Sequence, residues 1–226
     1  MTETPTPQTQ LPDALRSFAE RNILRRDYAR VVLEQEGTMR LQPNASWRPF
    51  TAEQWTSARE VAFCWHARVK MAPFVTMVID DAFEGGHGRL DVKLWGRLPV
   101  AHDDGPELDR GEAMRYLAEL PWNPAALLTN PELRFAEGPE GSVRVWTGDP
   151  RTYVDAHLDE AGDIVRTYSE TRSMGDAGPA PWEGRFSDYA DLGGLRVPCR
   201  GEVSWLLPEG RFEYWRGEIT SLKCES

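Results

Sequence analysis

Apolar and polar residues alternate with a period of two over most of this chain, which is the pattern of β-strands that bury one face. The run 61–70 shows it most clearly, because Val61, Phe63, Trp65 and the later odd positions are apolar. The run 74–83 ends at a Gly-rich turn and is followed by another short run, which predicts a hairpin. About ten strands are predicted, near 29–41, 47–55, 61–70, 74–83, 89–95, 132–136, 142–147, 151–158, 163–172, 195–207 and 212–222. Pro49 would confine the strand at 47–55 to an edge or a bulge, and a Gly/Pro-rich loop is predicted over 175–181.

Helical periodicity of apolar residues appears at the N-terminal end of the chain, over residues 11–23. Pro12 suits the first turn of a helix, and Leu15, Phe18 and Ala19 fall on one face three and four positions apart. Residues 1–10 are rich in Thr, Pro and Gln and are expected to form a disordered tail. The predicted folded unit is therefore a single domain over residues 11–226.

A second helix is predicted in the middle of the chain, at Asp109–Leu128. Asp109 suits an N-cap with Glu112 three positions later, and Met114 belongs to an apolar arc. Pro121 is expected to end the helix. Strands joined by short connections, with one such helix between them, predict an α+β fold: one strongly curved antiparallel sheet, a half-barrel, whose concave face both helices cover.

Charge and cysteine content restrict the class of protein. The 26 Lys and Arg residues are outnumbered by 36 Asp and Glu, for a net charge of −10, which argues against binding nucleic acid or docking on an anionic membrane. Three cysteines without Cys-x-x-Cys spacing, Cys64, Cys199 and Cys224, are typical of reduced thiols. The chain shows no signal peptide and no window of 18 apolar residues, so we expect a cytoplasmic protein without stable membrane insertion.

Several familiar chemistries have no support in the sequence. The four histidines, His66, His87, His102 and His157, are far from one another along the chain, so no dedicated metal site is predicted. The chain contains no GxGxxG sequence after a strand, no GxxxxGK[ST] and no GxSxG elbow. We therefore expect no cofactor.

Four segments carry a resemblance to a known family. They are WRPFTAEQW (47–55), FCWHARVKMAP (63–73), GPELDRGEAMRYLAELPWNP (105–124) and PWEGRFSDY followed by GGLRVPCRGEVSW (181–205). In these segments the chain resembles a bacterial family of uncharacterised domains. Its strand pattern is similar to that of the outer-membrane lipoprotein carrier fold. That resemblance implies a curved half-barrel, covered by helices, around a hydrophobic cavity for acyl chains.

The polar residues of the mid-chain helix are the first candidate site. Glu112, Arg115 and Glu119 fall in one narrow sector opposite the apolar arc. In one interpretation Arg115 binds an oxygen of a ligand, and Glu119 acts as an acid, a base or a supporting partner. In the other, the sector is simply the solvated face of the helix. The pattern leaves both open.

Asp81 is the second candidate, because it falls on the apolar face of its predicted strand, beside Ile79 and Phe83. An unpaired carboxylate in such a place has a raised pKa, which general acids and bases exploit. A buried ion pair with an arginine, or a strand end near the turn that follows, explains the position equally well.

The tryptophans are the third candidate, because flat aromatic side chains line apolar pockets and their indole N–H groups can orient a polar head group. Ordinary core packing is the alternative. Tyr189 is expected at the pocket mouth, although a structural role for it is open too. The tryptophans considered are Trp65, Trp122, Trp146, Trp182, Trp205 and Trp215.

These observations favour the binding of an apolar or amphipathic small molecule, such as a lipid, a fatty-acyl or a polyketide-like compound, in a Trp-lined cavity. The alternative is a cofactor-independent isomerase or cyclase that uses Asp81, Glu119 and Arg115 as an acid-base set in the same cavity. A protein-interaction module with an exposed sheet edge is a third hypothesis. The sequence indicates no oligomeric state.

Overall fold

The computed structural model describes residues 10–24, 28–175 and 178–226. Helices in this part of the chain are α1 (Asp13–Asn22), α2 (Pro106–Ala118) and α3 (Ala126–Thr129), with short 3-10 turns at Leu120–Trp122 and Pro139–Gly141. The strands are β1 (Arg30–Met39), β2 (Arg48–Ser57), β3 (Phe63–Ala72), β4 (Val75–Glu84), β5 (His87–Leu94), β6 (Leu98–Asp104), β7 (Arg134–Glu137), β8 (Val143–Trp146), β9 (Tyr153–Leu158), β10 (Ile164–Ser173), β11 (Pro179–Leu192), β12 (Leu195–Leu207) and β13 (Gly210–Glu225).

All of these strands belong to one antiparallel sheet, in the order β6-β5-β4-β3-β2-β1-β13-β12-β11-β10-β9-β8-β7. The first and last strands of the chain pair in the middle of the sheet, and β6 and β7 form its two edges. The segment between β6 and β7 must therefore pass from one edge to the other. It does so across the concave face, where α2 contacts β4, β5 and β6 on one side and β8, β9 and β10 on the other.

The predicted α+β fold with one strongly curved antiparallel sheet is confirmed. The number of strands was underestimated: the structure has thirteen strands in its described part, and β6 and β11 were not predicted. Every residue of β6 is exposed, so this edge strand shows no alternation, and β11 begins at Pro179 inside a stretch predicted as a Gly/Pro-rich loop. Residues 176–177 of that predicted loop lie outside the described residues.

Three local predictions near the N-terminus have different outcomes. The predicted disordered tail lies outside the described residues except for Gln10. Helix α1 forms where predicted, directly after Pro12, and buries Leu15 and Phe18 as the periodicity indicates. The placement of β2 on an edge or bulge because of Pro49 was wrong, since β2 lies between β1 and β3.

The mid-chain helix is shorter than predicted and begins earlier. Helix α2 starts at Pro106, whose missing N–H costs nothing in a first turn, and ends at Ala118, well before Pro121. Asp109 does not cap the helix, because it lies within α2, whose N-cap is Gly105. Its carboxylate accepts a hydrogen bond of 2.6 Å from the backbone N–H of Gly88. Being enclosed between the two halves of the sheet, α2 buries residues around most of its circumference.

A row of glycines crosses the middle of the sheet. Gly37 of β1 faces Gly217 of β13, which in turn faces Gly201 of β12. Phe50 and Phe186 continue the row on either side. We call Gly37, Gly217 and Gly201 the glycine row.

Two indole rings occupy the space that side chains would fill along the glycine row. A Cβ on Gly217 would lie 2.3 Å from the Trp215 ring, and one on Gly201 would lie 3.0 Å from the Trp122 ring. The two rings have centroids 6.3 Å apart. The absence of side chains along this row therefore lets large aromatic groups approach the backbone where the sheet curves.

Candidate functional site

A cavity of about 390 Å³ lies between the concave face of the sheet and α2. Aromatic side chains line much of it, including Trp65, Trp122, Trp182, Phe186 and Trp215. Aliphatic side chains from β1, β4, β5 and β6 complete the apolar surface. The volume falls in the range of ordinary small-molecule sites, roughly 300–1,000 Å³.

One wall of the cavity is polar and is centred on Arg115 of α2. Its Nη1 donates to Oδ2 of Asp81 over 2.5 Å, and its Nε donates to Oε1 of Glu119 over 2.8 Å. The three side chains are at most 15% exposed, and all three line the cavity. The solvated-face interpretation of this helix sector is therefore wrong for Arg115 and Glu119, because the helix lies inside the curved sheet.

The hydrogen bonds of this wall continue into the sheet. Gln54 Nε2 donates to the second oxygen of Glu119, and Gln35 Nε2 donates to Gln54 Oε1 over 3.2 Å. Gln35 in turn accepts a bond of 2.9 Å from the indole N–H of Trp65. We call Asp81, Arg115, Glu119, Gln54 and Gln35 the polar wall.

Neighbouring carboxylates stabilise the charged form of Arg115. Burial lowers the pKa of this guanidinium, but the carboxylates of Glu119, Asp81 and Glu112 together raise it above its ordinary value. The guanidinium also lies over the Trp65 ring, 5.1 Å from its centroid. Because two carboxylates already neutralise Arg115, it is a poor partner for a ligand carboxylate.

A second ion pair lies close to the polar wall. Arg172 Nη2 donates to Glu112 Oε1 over a long 3.3 Å, and the guanidinium stacks on the Trp182 ring at 4.3 Å. Burial, followed by the charge of Asp81, raises the pKa of Glu112 to about 8. Glu112 Oε2, Arg172 Nη1 and Asp81 Oδ1 are buried without a hydrogen-bond partner among the described residues.

We expect the wild-type protein to lose stability as the pH rises from about 4.5 to about 8. The variant Glu112→Gln should not show this loss. Folding raises the pKa of Glu112, so in this window the folded state binds more protons than the unfolded state, and the free energy of unfolding falls with rising pH. Glutamine is neutral throughout, and the variant should gain on the order of 3 kcal/mol over wild type at the upper end.

Urea denaturation at the two ends of the pH window measures this difference. Glu34→Gln is the matched control, because Glu34 is exposed on β1 and should leave the pH slope unchanged. An equal slope in Glu112→Gln and wild type would contradict the assignment.

Three of the predicted tryptophans in the cavity wall use their indole N–H groups within the protein. Trp65 donates to Gln35, Trp122 donates to the carbonyl of Pro198 over 3.0 Å, and Trp182 donates to the Tyr214 hydroxyl over 3.0 Å. These rings therefore offer a ligand their apolar faces.

Two predicted ligand-binding residues lie away from the cavity lining. The Tyr189 hydroxyl donates to the carbonyl of Ile164 over 2.7 Å, and its ring packs edge-on against Phe18 of α1. Trp205 stacks on Tyr214 with centroids 6.4 Å apart. Of the other tryptophans considered, Trp215 lines the cavity, whereas Trp146 lies in a small separate cluster.

Gln35, Gln54 and Arg172 line the cavity and were not among the predicted site residues. The signal for Gln35 was present, because it interrupts the apolar face of β1 at an odd position after Val31 and Leu33. A polar residue in the apolar register of a strand is the signal that identified Asp81 as well. Arg172 gave no comparable signal, because its strand has no clean alternation.

Within the described ranges, no group of three or more His, Cys, Asp or Glu side chains is placed to hold a metal ion. None of the helices in the described part of the chain is long and apolar enough to cross a membrane. Burial raises the pKa of the Cys64 and Cys199 thiols. The cytoplasmic location stays a prediction.

Comparison with known proteins places this architecture in a family. A model of a family of unknown function, DUF6920, matches residues 9–223. The chain belongs to the DUF6920 family. Among curated proteins, none matches its sequence.

Two solved structures share the DUF6920 protein's fold. A LolA superfamily protein from Nitrosomonas europaea is 10% identical, with a TM-score of 0.51 over 96% of this chain and 94% of that one. A putative outer membrane lipoprotein-sorting protein domain from Vibrio parahaemolyticus is 9% identical, with a TM-score of 0.52 over 95% of this chain and 92% of that one. At these identities the likeness shows the fold alone, and it agrees with the half-barrel that the sequence predicts.

Proposed function

We propose that this DUF6920 protein binds an apolar or amphipathic small molecule, such as a lipid or a fatty-acyl or polyketide-like compound, in the cavity beneath α2. The observation that carries the proposal is a 390 Å³ cavity with aromatic and aliphatic walls on most sides and a polar wall on one. Apolar burial supplies affinity, and the few polar groups fix orientation. The fold shared with a lipoprotein-sorting domain supports the same class of ligand.

The electrostatics of the cavity favour a ligand whose polar end is uncharged. Three carboxyl groups, Asp81, Glu112 and Glu119, face two guanidinium groups, Arg115 and Arg172. Burial favours the protonated, neutral form of Glu112, and in that form the two remaining carboxylates balance the two guanidinium groups. An additional carboxylate would give this buried cluster a net negative charge, which is costly in an apolar cavity. A hydroxyl or amide can instead bond to a partnerless oxygen such as Asp81 Oδ1.

Straight-chain alcohols are expected to displace a fluorescent apolar probe with affinity that rises about fourfold per methylene, since each buried CH₂ contributes ~0.8 kcal/mol. The increase should stop once the cavity is full. A fatty acid of equal length should bind at least about tenfold more weakly, because its carboxylate adds a net negative charge to the buried cluster. Native mass spectrometry of the purified protein identifies a co-purified ligand directly.

Val203→Phe is expected to weaken alcohol binding at least about tenfold, because Val203 lines the cavity and the larger ring occupies ligand volume. Val32→Phe is the matched control, since Val32 lies on the opposite face of the central strand β1. Thermal melts confirm that both variants are folded. Equal affinities in the two variants would rule out this cavity as the site.

A cofactor-independent isomerase or cyclase remains a second candidate, which one observation favours. Asp81 lines the cavity and carries an oxygen with no partner among the described residues. If Asp81→Asn abolishes turnover of a bound compound without loss of its binding, the carboxylate takes part in the chemistry. Loss of binding and turnover together would indicate a structural role.

A further inference from the structure

Two large aromatic side chains occupy the tips of neighbouring hairpins at one rim of the half-barrel. Phe74, between β3 and β4, is 96% exposed, and Trp95, between β5 and β6, is 53% exposed. Both have left-handed backbone conformations, with φ of 65° and 51°. Glycine and asparagine favour such positions, whereas bulky aromatic residues are uncommon there. Neither local folding nor core packing explains why these side chains point into solvent.

The two tips are held together in a defined arrangement. The indole N–H of Trp95 donates to the carbonyl of Phe74 over 2.8 Å, and the backbone N–H of Trp95 donates to the carbonyl of Thr76 over 2.8 Å. The aromatic groups therefore form one fixed feature shared by two hairpins.

Exposed aliphatic residues extend this feature to the cavity. Leu98 and Val100 of the edge strand β6 are each more than half exposed, and so is Leu41, which follows β1. Val100 and Leu41 also line the cavity. We call Phe74, Trp95, Leu98, Val100 and Leu41 the aromatic rim; its apolar surface is continuous with the cavity wall.

The two hairpin segments that carry Phe74 and Trp95 contain only positive charges. The stretches 68–78 and 92–100 contain Arg68, Lys70, Lys93 and Arg97 and no acidic residue. Lys93 reaches an acidic side chain, Asp80 of β4, only at 3.9 Å. In a chain with a net charge of −10, this is a local concentration of cations around exposed aromatic groups.

We propose that the aromatic rim docks the protein on the surface of an anionic lipid bilayer, with the cavity mouth against the membrane. Aromatic side chains prefer the interfacial layer of a bilayer, and adjacent Lys and Arg side chains bind anionic head groups. The net negative charge of the whole chain argues against such docking. However, electrostatic attraction to the lipid head groups falls off within a Debye length, so the charges near the membrane determine whether the protein binds. Docking on the bilayer does not rest on the proposed function. Only the further step, in which the cavity ligand exchanges with the bilayer, rests on it.

The test is co-sedimentation with vesicles of phosphatidylcholine mixed with phosphatidylglycerol, compared with vesicles of phosphatidylcholine alone. We expect wild-type protein to bind the anionic vesicles at least about tenfold more tightly, with binding weakened by added salt. The double variant Phe74→Gly, Trp95→Asn places favoured residues at both turns, so its fold is kept. It should lose at least about tenfold in vesicle affinity.

Leu24→Ser with Leu128→Ser is the matched control, because both leucines are exposed but lie outside the aromatic rim. This control should bind vesicles like wild type, and Lys70→Glu with Arg97→Glu should not bind them. Absence of wild-type binding to anionic vesicles, or equal binding by the Phe74→Gly, Trp95→Asn variant, would overturn the proposal. A wild-type dimer that this variant converts to a monomer, without vesicle binding, would reassign the rim to self-association.

The outcome for docking is separable from the outcome for ligand binding. Alcohol binding in solution should be unchanged in the Phe74→Gly, Trp95→Asn variant, because neither residue lines the cavity. Val203→Phe should keep vesicle docking while it loses ligand. If docking persists and no alcohol binds the wild-type protein, the proposed function fails and the membrane proposal stands.

Discussion

Arg115→Ala is expected to lower the free energy of unfolding by about 3–5 kcal/mol, because it leaves the two buried carboxylates of Asp81 and Glu119 without their shared cation. Arg115 Nη1 and Nε hold one carboxylate each, at 2.5 Å and 2.8 Å. The sequence alone suggests a milder result, in which the variant loses ligand but keeps its stability. The observed pairing makes the arginine a structural centre of the cavity wall, and urea denaturation measures the loss.

The variant Asp81→Asn, Arg115→Met, Glu119→Gln is the control for this prediction. It removes all three charges while approximately keeping side-chain volume, so it should recover most of the stability that Arg115→Ala loses. If Arg115→Ala unfolds at the same urea concentration as wild type, the pairing is not a stabilising feature. If the charge-free variant is as unstable as Arg115→Ala, packing and not charge accounts for the loss.

The fold could be predicted largely from the strand pattern, because alternation reports directly which face of a strand is buried. The predicted face of β3, with Phe63, Trp65 and Val69 inward, is the buried face in the structure. Prediction failed where burial is absent or complete. Strand β6 is exposed throughout and shows no contrast between its faces. The pattern located α2 but not its surroundings, because the predicted polar sector includes Glu112, which is buried.

The candidate site could be predicted only in part. Asp81 was selected because it is a polar residue on the apolar face of a strand. Arg115 was selected separately, because it belongs to a polar sector of a helix. Nothing in the sequence pairs them, because the contact joins α2 to β4 across the concave face. The pairing also reverses the chemistry expected of Arg115, since a neutralised guanidinium does not favour an anionic ligand. Arg172 depends in the same way on a contact between elements distant in the sequence, because it pairs from β10 with Glu112 of α2.

The glycine row could not be recognised before the strand register was known. Gly37, Gly201 and Gly217 come from three strands and share no motif, and only the pairing of β1, β13 and β12 aligns them. This alignment lets the Trp215 and Trp122 rings lie against the backbone. Both rings also line the cavity, so the row fixes one aromatic wall of the candidate site.

Gly37→Ala is therefore expected to destabilise the protein by about 3 kcal/mol or more, with the loss of soluble folded protein at the extreme. A Cβ at this position would lie 2.0 Å from the backbone carbonyl oxygen of Arg216 on the neighbouring strand. No rotamer change relieves a clash with backbone, so β1 and β13 would have to separate at the centre of the sheet. Thermal and urea denaturation measure the effect.

Gly111→Ala is the matched control, because it makes the same substitution inside α2, where a Cβ would meet no atom within 4 Å. There alanine removes backbone freedom from the unfolded chain and should stabilise the protein by about 0.5–1 kcal/mol. The two alanine variants should thus shift stability in opposite directions. A Gly37→Ala protein as stable as wild type would mean that β1 and β13 are not in the register on which the aromatic wall depends.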